Sequence, residues 1–241
     1  RNTTINSTSY VVDVSGEGND GVVNGSAVWN ESGGRLNSAW VFDGKDDYVD
    51  VGDSNKLNFD NKSFSVSVWV NPVSSNSYDI LGKNIIGSNS ANRWRLFKNP
   101  SDTTYFEMKD GATTVETFTT SVDIDDGSWH HIVVVRTAGT GLEMFIDGIS
   151  RDTGSDAGNI SSTDSFKIGA KSDKAFFNGS IDEVLIFNRS LSSGEISALY
   201  NRSSINHTTF ATETLNINWT GLVDGNYHYL TDILDTSGNY N

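Results

Sequence analysis

The sequence of 241 residues contains no cysteine and only two prolines. Without thiols the chain cannot form disulfides, thiolate zinc sites or iron–sulfur clusters, and it cannot use a cysteine nucleophile. Redox chemistry through cysteine is therefore excluded, and the indications of function must come from other residue types.

Positive charge is also scarce, since 17 Lys and Arg stand against 31 Asp and Glu and give a net charge of −14. Phosphate backbones and anionic membrane surfaces are bound by clustered basic residues, and the sequence has no basic run, so nucleic acid is not an expected partner. Long apolar runs are lacking too: the run from Ile132 to Val135 ends at Arg136. No segment is predicted to insert into a membrane.

What the sequence does contain is alternation of apolar and polar residues. Phe64, Val66, Val68 and Val70 alternate with serines at 63, 65 and 67, the pattern of a half-buried strand. Further runs of this kind are separated by Asp-Gly and Asn-Gly dipeptides, which favour tight hairpins. The predicted strand runs cover 40–51, 78–83, 93–98, 105–109, 115–119, 129–136, 142–147, 165–168 and 180–187. The sequence therefore predicts an all-β, antiparallel two-sheet sandwich.

One short helix is predicted within Leu191–Tyr200. Ser192 stands at the N-cap position, and Glu195 follows three residues later. This spacing forms a capping box, in which each side chain accepts a hydrogen bond from a free backbone N–H of the other residue.

Asn-X-Ser/Thr sequons are about twice as frequent as the residue frequencies predict. They begin at Asn2, Asn6, Asn24, Asn30, Asn61, Asn159, Asn178, Asn188, Asn201, Asn206 and Asn218. One interpretation is an exported glycoprotein, and the other is a turn-rich β protein whose loops use these residue types. We expect an extracellular, cell-surface location with glycosylation at some of these sites. No sequon begins between Asn61 and Asn159.

Several motifs, in order, resemble the laminin-G-like, concanavalin-A-like jelly-roll family. They are Asp13–Gly21, Ala39–Val49 with its Phe-Asp-Gly turn, Phe64–Val70, Trp129–Val135, Met144–Gly148 and Gly179–Ser192. The resemblance covers residues 10–203 and implies a jelly-roll sandwich that binds glycans or proteins, or serves as a spacer in extracellular proteins.

The resemblance also implies one structural calcium ion. Asp43, Gly44 with its carbonyl, Asp46 and Asp182 match positions where such domains place calcium ligands, and Ca²⁺ takes several hard oxygen ligands. The alternative is that Asp43 and Asp46 only form a turn and that Asp182 is a solvated strand end.

Enzymatic motifs are missing, so the protein is not expected to be an enzyme. The jelly-roll glycoside hydrolases carry two carboxylates at alternating positions of one strand, whereas Asp182 and Glu183 are adjacent and point to opposite faces. The adjacent His130 and His131 also point to opposite faces, so they cannot chelate one metal ion. A Gly-X-Ser-X-Gly elbow does not occur.

Aromatic residues in or near the strands leave a sugar-binding role open, because a sugar ring stacks on an exposed aromatic face. The alternative is that these residues form the hydrophobic core. The candidates are Tyr78, Trp94, Tyr105, Phe106, Phe176 and Phe177.

The end of the sequence has a different character. Residues 204–241 resemble part of an immunoglobulin-like repeat of prokaryotic, especially archaeal, surface proteins, through Trp219–Gly225 and Asp235–Asn239. Such a module is incomplete without a further strand, and residues 1–9, read as an N-terminal strand or linker, resemble that strand. The hypothesis is head-to-tail association of copies by β-strand addition. The alternative is an unpaired leader and a truncated domain.

Two functions are consistent with these features. The first is a non-catalytic extracellular structural glycoprotein, a subunit or repeat of a surface filament, sheath or S-layer-like array. The alternative is a calcium-dependent carbohydrate-binding or adhesion module of a larger surface protein.

Overall fold

A computed structural model gives the fold of the chain. It describes residues 2–5, 8–73, 76–83, 92–101, 103–111, 113–119, 122–156, 158–171 and 175–202. The predicted immunoglobulin-like segment, residues 204–241, lies outside the described residues.

The described chain is all-β with one α-helix, as the sequence predicts. The strands and the helix are, in chain order, β1 (Asn2–Ile5), β2 (Thr8–Val11), β3 (Gly21–Asn24), β4 (Val28–Asn30), β5 (Ala39–Asp43), β6 (Tyr48–Gly52), β7 (Phe64–Pro72), β8 (Tyr78–Lys83), β9 (Arg93–Lys98), β10 (Thr104–Asp110), β11 (Thr113–Thr119), β12 (His130–Thr137), β13 (Gly141–Ile146), β14 (Ile149–Gly154), β15 (Phe166–Ile168), β16 (Asn178–Phe187) and α1 (Ser193–Arg202). A single 3-10 turn, Asn55–Leu57, precedes β7.

The strands form two antiparallel sheets. The nine-stranded sheet has the order β1-β2-β3-β6-β15-β8-β9-β10-β11, and the seven-stranded sheet has the order β14-β13-β12-β7-β16-β5-β4. Within each sheet, some neighbouring strands form hairpins and others are distant in sequence, as in a jelly roll. The predicted run 40–51 is in fact two strands, β5 and β6, which belong to different sheets on either side of a tight turn.

The first strand is present, but it pairs within its own chain. β1 pairs with β2 from Asn2 opposite Val11 to Ile5 opposite Thr8, at the edge of the nine-stranded sheet. The predicted boundary between residues 9 and 10 therefore falls inside β2, and the start of the chain belongs to the sandwich.

The main core lies between the two sheets. The predicted inward face of β7 is confirmed, because Phe64, Val66, Val68 and Val70 are at most 1% exposed and belong to this core. At the centre, Trp94 of β9 contacts the rings of Phe59, Phe64, Phe106 and Phe166.

The outer face of the seven-stranded sheet is also covered. Helix α1 packs Ile196 against Val133 and Phe145, in a second apolar cluster. The predicted capping box is confirmed, since the Ser192 N–H donates to Glu195 Oε2 at 2.8 Å and the Glu195 N–H donates to Ser192 Oγ at 3.3 Å. Ser65, predicted to face solvent, is buried because the chain entering α1 crosses it: its Oγ donates to the Arg189 carbonyl and accepts from the Leu191 N–H.

Candidate functional site

The predicted metal turn joins β5 to β6. Carboxylate oxygens of Asp43, Asp46 and Asp47 lie within 4.8 Å of one another. The sequence analysis missed Asp47, which is 1% exposed and accepts hydrogen bonds from the backbone N–H groups of Ser26 and Asp43. Two of the predicted ligand residues, Asp43 and Asp46, are thus brought together, and a third acidic residue joins them.

A cation already lies against this turn. Lys45 Nζ is 3.0 Å from Asp43 Oδ2, and the Lys45 backbone N–H donates to Asp43 Oδ1. These two interactions lower the pKa of the Asp43 carboxyl. Because the Lys45 side chain is 80% exposed, a metal ion could displace its ammonium group without opening the fold.

Asp182 lies elsewhere. In the β5–β16 pairing Asn178 is opposite Asp43, so Asp182 is four residues farther along β16. At about 3.3 Å per residue this amounts to about 13 Å, whereas calcium–oxygen distances are about 2.3–2.6 Å. Asp182 therefore does not share an ion with Asp43. Its Oδ2 accepts from the Leu36 N–H at 2.9 Å, and its Oδ1 accepts from the Glu183 N–H.

Burial of Asp182 raises its pKa from 3.8 to about 6, although the backbone hydrogen bonds oppose this rise. An acid with a raised pKa binds its proton more tightly in the folded state. Its contribution to folding is thus most favourable below the unfolded pKa, and it is lost as the pH rises from about 4 to about 6.

We expect this loss to disappear in Asp182→Asn. Urea unfolding at several pH values should show the free energy of unfolding falling across that window by about 2–3 kcal/mol more in the wild type than in the variant. Subtracting the free energy of unfolding of the variant from that of the wild type cancels the contributions of the other carboxylates, which both proteins share. Parallel curves for the two proteins would contradict the assignment.

The outer face of the nine-stranded sheet carries a second group of candidate side chains. On β9, Trp94 and Leu96 enter the core, so Arg93, Arg95 and Phe97 take the outer face. The β9–β10 register places Phe97 opposite Tyr105, Arg95 opposite Glu107, and Arg93 opposite Lys109. The pairing of β8 with β9 adds Asp79, opposite Phe97.

We call Phe97 and Tyr105 the ring pair. Their centroids are 5.0 Å apart with an interplanar angle of 11°, and both side chains are half-buried. The Arg95 guanidinium carbon lies 3.8 Å from the centroid of the Phe97 ring, and Asn99 donates to the Tyr105 hydroxyl at 3.3 Å. These contacts hold the two rings in one orientation.

We call Asp79, Arg93, Arg95 and Glu107 the charged cluster. Glu107 Oε1 accepts from Arg93 Nε at 2.6 Å and from Arg95 Nε at 3.1 Å, and Arg95 Nη1 is 3.2 Å from Asp79 Oδ1. Burial would raise the pKa of Glu107, but its hydrogen bonds and the charges of the two arginines outweigh this effect and lower it. Gly82 of β8 leaves room for Arg95, since a Cβ there would lie 2.7 Å from the Arg95 Cβ.

A second aromatic contact lies farther along the same sheet. Tyr48 of β6 stacks on Phe176 with centroids 6.4 Å apart, and Lys167 Nζ lies 4.4 Å from the centroid of the Tyr48 ring. Tyr48 and Phe176 are both half-buried.

The structure separates the predicted aromatic candidates into two groups. Tyr78, Trp94, Phe106 and Phe177 belong to the core and are at most 1% exposed. Tyr105 and Phe176 lie at the outer surface, where they meet Phe97 and Tyr48. The sequence analysis missed these two partners, although the alternation of Arg93–Lys98 could have identified Phe97 as outward-facing once Trp94 was placed inside.

A serine and a histidine also meet, on the other sheet. Ser67 Oγ lies 2.8 Å from His131 Nε2, and His131 stacks on Trp69 beneath Tyr200 of α1. Burial lowers the pKa of His131 to about 4. Its Nδ1 has no hydrogen-bond partner within the described part of the chain, so the orienting acid of a catalytic triad is missing there. His130 points the opposite way, to Asp147 at 2.8 Å, as the strand geometry predicts.

The sequons of the described residues lie at the surface. Their asparagine side chains are exposed at Asn30, Asn61, Asn159, Asn188 and Asn201 and half-buried at Asn24 and Asn178. The predicted sites at Asn6, Asn206 and Asn218, and the side chain of Asn2, lie outside the description. Among the described residues, no helix has the length and apolar character needed to cross a bilayer.

Two antiparallel sheets with this strand order and one short helix define the class of jelly-roll sandwiches. The chain belongs to the concanavalin A-like lectin/glucanases superfamily, whose Laminin_G_3 family profile matches residues 43–197. The predicted resemblance is thereby confirmed for the sandwich. No curated protein matches the sequence.

Solved structures with a similar fold include two binding domains of toxins. The binding domain of Paraclostridial mosquitocidal protein 1 has a TM-score of 0.66 at 18% identity over 83% of this chain and 51% of that one. The receptor-binding domain of a botulinum neurotoxin C/D mosaic has a TM-score of 0.64 at 17% identity over 79% and 48%. This chain thus spans about half the length of these two relatives.

For a third similar structure, the match covers most of that structure's chain. Domain 4 of an extracellular arabinanase from Geobacillus stearothermophilus, solved in complex with arabinotriose, has a TM-score of 0.58 at 20% identity over 73% of this chain and 82% of that domain. At these identities the similarity establishes the fold.

Proposed function

We propose that this protein is a non-catalytic glycan-binding module that binds its ligand on the outer face of the nine-stranded sheet. The observation that carries the proposal is the ring pair, a half-buried stack of Phe97 and Tyr105 beside a network of charged hydrogen-bonding groups. Sugar rings present an apolar face that stacks on aromatics and hydroxyls that bond to polar groups. Both kinds of partner lie side by side on this face.

Three further facts support this location. Helix α1 covers part of the opposite sheet, which leaves less of that face available. The strands that form the ring pair lie between Asn61 and Asn159, where no sequon begins, so attached glycans would not originate from these strands. The arabinanase domain of similar fold was solved with an oligosaccharide, and the two toxin domains are described as binding domains.

The charges of the face argue against glycoside hydrolysis. Such catalysis needs a protonated carboxyl beside an ionised one. Asp79 and Glu107 are instead both paired with Arg95, and the pKa of Glu107 is lowered, the opposite of what a general acid requires. These contacts favour binding of a glycan without its hydrolysis.

The filament hypothesis is not part of this proposal. It depends on residues 204–241, which lie outside the described residues, and on a strand that pairs with β2 of its own chain. Association of copies head to tail stays a prediction. We propose an extracellular, cell-surface location with glycans on the exposed sequons, which fits a module that displays a binding face outward.

The proposal is tested by a panel of immobilised oligosaccharides probed with the purified chain. We expect saturable binding to a defined subset of glycans, with competition by the free sugar. Binding to no glycan class, by a protein whose circular dichroism and cooperative unfolding show that it is folded, would overturn it.

We further propose one structural Ca²⁺ at the turn of Asp43, Asp46 and Asp47. The residues fit such an ion, because three carboxylates converge and each carboxylate oxygen that accepts one N–H keeps a second lone pair. The Gly44 carbonyl belongs to the same turn. Asp182 is not included. The ion would fix the β5–β6 turn between the two sheets.

Calcium should then stabilise the protein through this turn. At about a hundred times the dissociation constant, binding should raise the free energy of unfolding by about 2.7 kcal/mol over the value in chelator. Thermal unfolding in calcium and in EDTA measures the effect. Asp46→Asn should abolish it, whereas Glu31→Gln, which removes one exposed charge elsewhere, should retain it. Equal stabilisation of the Asp46 variant and the wild type would place the ion elsewhere.

A further inference from the structure

Two pairs of stacked rings lie on the outer face of the nine-stranded sheet. The first is the ring pair of Phe97 on β9 and Tyr105 on β10, and the second is Tyr48 on β6 with Phe176. On β6 the core side is taken by Val49, which is 2% exposed, so Tyr48 takes the outer side. Both pairs therefore face the same side of the sheet.

Strand register places the two pairs at the same level of the sheet. One row of paired residues crosses four neighbouring strands: Asp50, Lys167, Gly82 and Arg95. Three antiparallel pairings separate β6 from β9, so these two strands run in opposite directions. Tyr48 precedes the row by two residues on β6, and Phe97 follows it by two residues on β9. Both rings therefore lie on the same side of the row.

A short segment after β15 connects the two pairs. The Asp79 N–H donates to the Ala175 carbonyl at 2.9 Å, which brings Phe176, the next residue, beside β8. Asp79 is also the strand partner of Phe97. The four rings thus follow one another across the strands, and we call them the aromatic line: Tyr48, Phe176, Phe97 and Tyr105.

The aromatic line is longer than one sugar ring. It extends over four strand intervals, from β6 through β15, β8 and β9 to β10. At about 4.8 Å for each interval this amounts to about 19 Å. A single sugar ring would contact one pair of rings, whereas a chain of several sugar units laid across the strands would contact both.

Charged side chains accompany the aromatic line over this length. Lys167 Nζ lies 4.4 Å from the centroid of the Tyr48 ring and 3.8 Å from Asp50 Oδ2. Farther along the same row, Arg95 stacks on the ring pair and lies opposite Glu107. Charges of both signs therefore lie beside both pairs of rings, where the hydroxyls of successive sugar units would approach them.

We propose that the binding face takes an extended oligosaccharide chain, which crosses the strands and stacks on both ends of the aromatic line. This inference rests on the proposed function and specifies its ligand class, a chain of several sugar units instead of a single terminal sugar. The ring pair binds one part of the chain, and Tyr48 with Phe176 binds a part farther along it.

The test is a length series measured by calorimetry. The probes are the di-, tetra- and hexasaccharides of cellulose, xylan, arabinan and mannan, and of any other glycan class that binds in the immobilised panel. The hexasaccharide of a bound class should bind about tenfold more tightly than its disaccharide, because a second aromatic contact is added. Tyr48→Ala should bring the hexasaccharide affinity down to that of the disaccharide and leave the disaccharide affinity unchanged. Tyr48→Phe, which keeps the ring, should behave as the wild type.

Further variants separate this inference from the proposed function. Tyr105→Ala should weaken the binding of both lengths, since it removes a ring that the short ligand also contacts. Tyr200→Ala, in the helix that packs on the other sheet, should change neither affinity. Thermal unfolding shows whether each variant is folded.

Three outcomes would contradict the extended site and leave glycan binding intact. They are equal affinity of the wild type for disaccharide and hexasaccharide, an unchanged hexasaccharide affinity in folded Tyr48→Ala, and an equal loss for both lengths in that variant. Binding of no glycan by the folded wild type would overturn both the extended site and the proposed function.

Discussion

Tyr105→Ala is expected to weaken glycan binding by about tenfold to a hundredfold, the effect of removing a central aromatic contact from a binding surface. Tyr105 is one of the two rings of the ring pair, and its partner Phe97 lies against the Arg95 guanidinium. Removing the tyrosine ring takes away half of the stacking surface. It leaves the Arg95 contacts with Asp79 and Glu107 in place.

Matched variants separate stacking from other effects. Tyr105→Phe keeps the ring and removes the hydroxyl group that accepts from Asn99, so its affinity should stay within about threefold of the wild type. Tyr200→Ala makes the same substitution in α1, which packs on the seven-stranded sheet, and should not affect binding. Calorimetric titration with the tightest-binding oligosaccharide measures all three. If Tyr105→Ala and Tyr200→Ala bind equally well, the binding face lies elsewhere.

Trp94→Ala should cost about 3–5 kcal/mol of folding free energy, a large share of the stability of an ordinary domain. Trp94 is 1% exposed, and its ring contacts Phe59, Phe64, Phe106 and Phe166 at centroid distances of 5.6–6.1 Å. The truncation would leave a cavity among these rings. Rigid strands on both sides limit how far the cavity can collapse.

Trp94→Phe should cost much less. The Trp94 Nε1 is buried and has no hydrogen-bond partner among the described residues, so phenylalanine removes an unsatisfied donor as well as volume. Urea unfolding measures both variants. The control is Trp29→Ala on the edge strand β4, where the half-buried ring contacts Trp40 at 5.5 Å. A loss for Trp94→Ala no larger than for Trp29→Ala would contradict this account of the core.

Much of the fold follows from local patterns. The inward face of β7 and the capping box of α1 are predictable because neighbouring residues decide them: alternation sets the face, and Ser192 and Glu195 meet within one turn. The burial of Ser65 was not predictable in this way. It depends on the chain leading into α1, which lies more than a hundred residues away in sequence.

The candidate sites also differ in whether neighbouring or distant residues of the sequence decide them. Asp43 and Asp46 are predicted together because four positions of one turn join them, and Asp47 was missed because an acidic residue beside a turn is ordinarily solvated. Asp182 was grouped with them through family resemblance, and the β5–β16 register places it too far away. For the charged cluster, the sequence contains every residue but nothing that indicates their proximity.

By itself the sequence determined most of the strands, the short helix, the sandwich class and the lack of thiol chemistry, since these depend on composition and on residues a few positions apart. The short strands β2, β3, β4 and β14 were not predicted. Only the tertiary structure decided which aromatics are core and which form a surface, and that Asp79, Arg95 and Glu107 meet. The physical reason is register: residues from β8, β9 and β10 become neighbours only when the sheet pairs and its inner face packs. A shift by one residue would exchange the ring pair with the core.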